Sequence, residues 1–531
     1  MKCVVVCMLV LLGWAAPLSA ELLLPAECSI PEVVDLCIDA RLQESDTIPA
    51  PPAGEATLVR RTTLDLVGRF PTVREVRNYM TSPAVSKRVE MVERLLGSPA
   101  FVRHQANQLN TLLNHDNGDM TGFLRQAVSE HRSWDLVFRQ LMVGEVAGAD
   151  QFLKSRVQDL DRLANDASVI FFGVNISCAQ CHDHPLVGEW TQEHFYGMKS
   201  FFSRTFENGG FVGERDYGKV KYKTTAGDEM TAKMVFLTGT MVDEPEAVEP
   251  NEEQKKALES ALEAAKEKKE PPPRPSFSRR EQLIDVALRK GDNAYFSQAI
   301  VNRMWYRLFG LGLVMPLDQL HPENPSSHPE LLEWLARDLV AHQYDLRRLL
   351  RGLVLSRAYA RSSRWEGESY PPRELYAVAN LRPLSRHQYA TSLWLSSTSP
   401  DHLSADLSAE QFEQRIETIE IGAQKFAGMI EEPTEDFQIG VAEALLFNNN
   451  EQVANDFLRD TSDSLVGKLK TIEDTNELIE TATSNVWLRL PDEEERAALA
   501  DFVAQRQENR LLACQHLVWA LLTSSECRFN H

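Results

Sequence analysis

The sequence contains no Gly-x-Ser-x-Gly elbow, no phosphate-cradling glycine loop and no His-Glu-x-x-His pair. It therefore carries none of the local signatures of an α/β-hydrolase, a P-loop nucleotidase or a zincin. Gly310-Leu311-Gly312 lacks a third glycine and a flanking strand, and reads as a helix stop. A basic excess is also missing. The 56 Lys and Arg are outnumbered by 77 Asp and Glu, giving a net charge of -21. That balance argues against a nucleic-acid partner, because phosphates need a basic face. It suits a cationic partner or simple solubility. Beyond the N-terminal segment there is no run of about twenty apolar residues, so no membrane span is expected after it. Cysteine is scarce, with 8 in 531 residues. Two of them fall in the N-terminal segment, and a chain this long does not depend on a disulfide scaffold. Cys28 with Cys37, and Cys514 with Cys527, are candidate local bridges; buried free thiols are the equal alternative.

The N-terminus has the pattern of an export signal. Lys2 supplies a positive start, Val4 to Trp14 an apolar stretch, and Ala15, Ala16, Ser19 and Ala20 the small residues of a cleavage site after Ala20. A periplasmic or secreted location follows as an expectation. An uncleaved anchor is the minor alternative, because Leu18 is not ideal before the cut.

The remaining chain reads as mainly α: two helical domains, a small β insertion and a charged, proline-rich linker. The boundaries are 1–20 for the signal, 21–205 for the first domain, 206–248 for the insertion, 249–276 for the linker and 277–531 for the second domain. Thr72-Val73-Arg74-Glu75 is a capping box. Ser82-Pro83 is expected to open a helix carrying Val85, Val89, Val92, Leu95 and Leu96 on one face, stopped by Gly97, and Ser98-Pro99 the next. Gly209-Gly210 breaks the helical pattern, and Val220, Tyr222 and Met234 to Leu237 look like short strands. Residues 252–270 are rich in Glu, Lys and Ala and suit a solvated helix, which Pro271-Pro272-Pro273 then stiffens. Pro329, with Leu331, Leu332, Leu335, Leu339 and Val340, marks one later helix. Pro491-Asp492 followed by three glutamates marks another, with acid where the helix dipole favours it.

One stretch carries chemistry: Cys178-Ala179-Gln180-Cys181-His182-Asp183-His184. Two thiols one turn apart can add across the vinyl groups of one haem, and the adjacent His182 can ligate its iron. Export agrees independently with covalent haem attachment. His184 is too close to His182 to reach the opposite face of the same haem. His194, Met198, Met230 and Met234 are candidates for that face, with Met315-Pro316 a distant echo of a distal methionine. Trp190, Phe195, Tyr196, Phe201 and Phe202 are candidate walls for a porphyrin or, each taken alone, ordinary core. Two alternatives stay open at the same residues. Cys178, Cys181, His182 and His184 can form a thiolate/imidazole site for zinc. Cys178 and Cys181 can form a disulfide or remain structural thiols. Asp183 between two histidines also suggests an extracellular metal-dependent hydrolase, but no distant carboxylate ligands can be placed. Arg303, Asp318, Asn324 and His328 read as caps and buried hydrogen-bonding groups.

The same residues resemble a known family. Cys-Ala-Gln-Cys-His-Asp-His-Pro, with Trp190-Thr191-Gln192 and Phe201-Phe202, is similar to the planctomycete cytochrome-c-like secreted proteins, which pair two domains of unknown function. Arg60-Arg61-Thr62-Thr63-Leu64-Asp65-Leu66-Val67-Gly68 looks like the opening of the first domain. Asn302-Arg303-Met304-Trp305, Pro316-Leu317-Asp318, Asn324 to Leu332 and Ser356-Arg357-Ala358-Tyr359 look like the second. The resemblance implies export and a haem site at Cys178, Cys181 and His182, and no established activity; the attachment motif behind an export signal leads separately to the expectation of electron transfer to a redox partner protein. His194 stands where the family more often has an acidic residue. Cys28 and Cys37 are not followed by a suitable histidine, so the small cytochrome module that many members carry ahead of these domains is not expected here.

Overall fold

The computed structural model describes residues 24–25, 27–114, 119–185, 187–245, 249–433 and 440–531. The signal segment lies outside the described residues. With 57% helix and 6% strand, the fold is mainly α. Among the described residues no helix is long and apolar enough to cross a membrane.

The chain clusters into two discontinuous units. Residues 1–45 and 105–356 make one, and residues 46–104 and 357–531 make the other. The two units interleave along the chain. Helix–helix burial is a long-range matter, and the segment 46–104 buries its apolar face with residues far along the chain.

In the first unit, helix Ile30–Glu44 packs on Leu346–Leu355 and Pro329–Ala341. An aromatic cluster fills the interior. Phe138 lies 4.8 Å from Phe171 and 4.9 Å from Phe296, ring centre to ring centre, and Phe172 meets Phe236 edge-on at 5.1 Å. Residues 205–242 form three antiparallel two-stranded ribbons: β1 (Thr205–Asn208) with β2 (Phe211–Glu214), β3 (Lys221–Lys223) with β4 (Glu229–Thr231), and β5 (Met234–Val235) with β6 (Met241–Val242). Gly209 and Gly210, both at positive φ, make the first turn. The following helix, Glu252–Lys268, buries no residue, as its composition predicts. Helix Arg279–Ala287 is then fixed by charge. The buried Glu214 carboxylate accepts from Ser278 Oγ and the Arg279 backbone, and Arg279 reaches Glu244.

The second unit has its own core, including Leu64, Phe70, Leu393, Ile416, Phe426, Leu465, Ile479 and Leu521. Its N-terminal helix, Glu55–Val67, carries a polar hub. Asp65 accepts two bonds from Arg382, one from the Tyr359 hydroxyl and one from Asn530. Arg60 donates to the Glu526 and Phe529 carbonyls, and Arg61 to those of Tyr359 and Arg361. Burial pushes both guanidinium groups down to about 10. A two-stranded ribbon of β7 (Arg382–Pro383) and β8 (Phe529–Asn530) lies beside them.

The Thr72–Glu75 capping box forms and starts helix Val73–Thr81. Ser82-Pro83 does not open the next helix. Ser82 ends the previous one in an extended conformation, as a residue before proline tends to, and the helix starts at Lys87. Val85 is fully exposed and Val89 partly so; Met91, Val92, Leu95 and Leu96 form the buried face. Cys514 and Cys527 are buried free thiols, not a bridge, and burial pushes the Cys527 thiol up to about 12. Cys28 and Cys37 are not bridged to each other.

Candidate functional site

The Cys-x-x-Cys-His loop belongs to the first unit and begins where a helix is made to stop. Asp159 caps Leu160–Phe172 through the Asp161 and Arg162 backbone, and Gly173 ends it at φ +67. A Cβ at Gly173 would come within 3.3 Å of Ala299, so glycine also permits close packing there. The chain then runs extended. Val174 bridges Gln319, and the Asn175 backbone donates to the Asp318 carbonyl at 2.8 Å. Asn175 Nδ2 donates to the Asp318 carboxylate, and Asn175 Oδ1 accepts from the Ser177 backbone and hydroxyl. These bonds launch a single 3₁₀ turn, Ser177–Gln180.

Residues i and i+3 eclipse in such a turn, so Cys178 and Cys181 share one side of it. Both are exposed, free thiols. His182 and Asp183 are exposed too, whereas Ala179 and His184 point inward. His182 Nδ1 lies 2.7 Å from the Asp183 carbonyl oxygen. A carbonyl only accepts, so Nδ1 carries the proton in this contact and Nε2 presents its lone pair.

The loop is tied down from helix Gln192–Phe202. The Gln192 backbone donates to the Asp183 carboxylate at 3.2 Å, which places a negative charge at the helix N-terminus. Gln192 Nε2 reaches the Gln180, Cys181 and Lys223 carbonyls at 3.3–3.4 Å, and its Oε1 accepts from Thr225. Tyr196 donates to the Gln180 carbonyl and stacks on Tyr222 of β3 at 4.2 Å. His194 completes a capping box with Thr191, accepting from its backbone at 3.3 Å.

His184 is turned away from the two thiols. Its Nδ1 accepts from the Val187 backbone, and its ring meets Trp190 edge-on at 5.4 Å and His321 at 6.3 Å. Burial, then His321 and His182, hold this imidazole below its usual range, so it is neutral at pH 7. Burial lowers His321 likewise. Among the described residues no group of three or more His, Cys, Asp or Glu is arranged to hold a metal ion.

Of the candidate porphyrin walls, Trp190, Phe195, Phe201 and Phe202 are buried core residues, and Tyr196 is half-buried. Met198 and Met234 are buried as well, while Met230 is 47% exposed on β4. Arg303 is half-buried, its guanidinium is pushed down to about 10 by desolvation, and it donates to the Val169 carbonyl. Asn324 donates to the Met315 and Gln319 carbonyls, and His328, pushed down to about 4 by burial, contacts Ser327. Asn324 thereby holds the turn from Met315 to Gln319. The sequence does not announce Gln192 as the loop's clamp: a glutamine one residue into a helix has no periodic signature, and its four partners are spread over more than forty residues.

Residues 33–207 match PSCyt2, a protein of unknown function (DUF1549), and residues 279–432 match PSD1, a protein of unknown function (DUF1553). The chain therefore carries these two domains as a pair, in the manner of a planctomycete-type paired-domain family. No curated protein and no solved structure matches it.

Proposed function

We propose that this pair of domains belongs to an exported electron-transfer protein that holds one haem c through Cys178, Cys181 and His182. The observation that carries the proposal is the state of the three donors. Two free thiols share one side of a 3₁₀ turn, and next to them an imidazole is oriented by a backbone carbonyl so that Nε2 is the available ligand. That second bond is what haem and metal-binding histidines usually have. A bound haem would supply reversible one-electron chemistry. The chain's own part is to hold the attachment turn rigid through Gln192, Tyr196 and Asn175, and to keep His182 in the ligating tautomer. A buried, neutral His184 suits this role, because it leaves His182 as the only exposed imidazole of the motif. The acidic surface suits a basic redox partner.

The test is the mature protein made with export and haem-maturation machinery. A Soret band, a haem-sized mass increase and a haem-staining band on a denaturing gel are expected. Cys178→Ser or Cys181→Ser should leave a single thioether at most, and His182→Ala should shift the spectrum. A colourless protein with no added mass would overturn the proposal. Stoichiometric zinc in that colourless protein would reassign the loop to a structural metal site in a binding or scaffold protein. Fractionation of the expressing cells, with N-terminal sequencing, tests cleavage after Ala20.

A further inference from the structure

Two distant stretches of the chain meet behind the Cys-x-x-Cys turn. Residues 173–184 lie in the first domain of the pair and residues 317–321 in the second, and both belong to the first packing unit. They run side by side. The Leu320 backbone donates to the Gly173 carbonyl at 2.9 Å, and the Asn175 backbone to the Asp318 carbonyl at 2.8 Å. Val174 bridges Gln319 in antiparallel register between them. Gly173 is so close that an added Cβ would meet the Leu317 carbonyl oxygen and the Leu320 side chain at 3.4 Å. Past this contact, the His321 ring meets Trp190 edge-on at 5.7 Å and His184 at 6.3 Å. The inward side of the first domain's motif is thus built against the second domain.

One side-chain relay crosses this contact toward the thiols. The Asp318 carboxylate accepts from Asn175 Nδ2 at 3.0 Å. An ionised carboxylate only accepts, so it fixes which end of the Asn175 amide faces it. The other end, Oδ1, is left for the turn. It accepts from the Ser177 backbone at 3.2 Å and from the Ser177 hydroxyl at 2.7 Å. Ser177 opens the 3₁₀ turn, and Cys178 follows it. An amide turned the other way would present donors to the Ser177 N–H, and the turn would lose its cap. Cys178 and Cys181 eclipse only while the turn holds, so their shared side depends on this orientation.

We propose that Asp318 is a positioning residue for Cys178 and Cys181, acting through Asn175, so that the second domain completes the site of the first. The inference rests on the proposed role of the two thiols as a joint attachment point. It gives the pairing of the domains a function: the second supplies the acceptor that sets the first domain's turn.

The full chain, made without haem, is treated with phenylarsine oxide, whose arsenic exchanges its oxygen for two thiol sulfurs and releases water. The cyclic adduct forms readily only where both thiols face one way. The unaltered chain is expected to form it. Asp318→Ala should slow its formation by about three- to tenfold, the range expected for one net hydrogen bond. The backbone bonds of Asn175 and Leu320 should keep that variant's melting temperature near native. Asp318→Asn, which retains an acceptor, should recover most of the rate. Asn175→Ala should match Asp318→Ala, and the double variant should be no slower than either, because the two residues act in series. The same variants made with haem-maturation machinery supply a spectral signature. Asp318→Ala should raise the fraction of haem held by a single thioether, seen as the shifted pyridine haemochrome band of a remaining vinyl group. Equal capture by the unaltered chain and Asp318→Ala, or additive losses in the double variant, would overturn the role of Asp318. A chain that takes up no haem but keeps the coupled loss of arsenical capture would uphold that role and remove only the haem reading.

Discussion

Around residues 178–183, two thiols, an imidazole and a carboxylate stand exposed on a single turn, held from behind by one glutamine and one tyrosine. In helix Glu55–Val67, two guanidinium groups and a carboxylate are about 2% exposed and bonded to residues far along the chain, such as Tyr359. Both runs are polar, and both carry motifs of the resemblance. The first leaves its thiols and imidazole exposed, so its side chains contribute little to stability and are open to the proposed chemistry. The second spends its carboxylate and most of its guanidinium donors on the fold, with Arg60 Nε and Arg61 Nη2 buried without a partner among the described residues. A specific motif is therefore not by itself a sign of a site: burial of its polar atoms and their bonding to distant parts of the chain separate the two cases.

The sharpest way to break this contrast is Asp65→Ala. It strands Arg382 and Tyr359 in the interior, and losing one member of a buried charged network costs about 3–5 kcal/mol. Denaturant unfolding should show that loss; a change within about 0.5 kcal/mol would remove the hub from the account of stability. The next effect is acid sensitivity at Glu75. Burial alone would raise this carboxyl, but the charge and hydrogen bonds of Arg69, then Arg94 and the Thr72 backbone, hold it at about 2. A depressed carboxyl stabilises the fold above its unfolded value near 4.5 and loses that contribution as pH falls toward 2. The shift corresponds to about 3 kcal/mol. Melting curves between pH 5 and 2 should show the loss, and Glu75→Gln should flatten it.

Smaller changes probe the exposed turn. Gln192→Ala removes a clamp with partners on both sides of the loop and should cost about 1–2 kcal/mol. In protein isolated without haem it should also speed alkylation of Cys178 and Cys181 several-fold. Unchanged alkylation would mean that Asn175 and Tyr196 suffice. The smallest effect on stability is expected for Cys178→Ser and Cys181→Ser, within about 0.5 kcal/mol by calorimetry, because both side chains are exposed. A larger loss would mean that the turn is part of the structural core.

Local rules account for what was legible in advance. Thr72 with Glu75 and Asp492 with Glu495 form capping boxes, Gly310 ends a helix in the left-handed conformation, and Gly209-Gly210 turns a ribbon. Each depends on residues within a few positions of one another. Pro83 shows the limit: its restriction of Ser82 outweighed its aptitude for a first helical turn, and Val85 and Val89 went to solvent. The Cys178, Cys181 and His182 cluster was visible because its members are adjacent. Its support was not, since Asp318, which bonds Asn175, lies 143 positions away along the chain. The inward turn of His184 likewise depends on Trp190 and His321, the second of which is 137 positions away.

The discontinuous packing has a consequence for biosynthesis. The strip from 46 to 104 leaves the ribosome early, yet its partners, beginning at 357, come after the whole remainder of the other unit. At ~5–20 residues per second, that wait lasts from roughly ten seconds to a minute. Throughout it, Leu64, Phe70 and the Arg60–Asp65 row lack the partners that follow residue 357. A nascent chain in that condition is a natural client for a holding chaperone, and release at the proline run near 271 would free a product with an unmatched apolar strip.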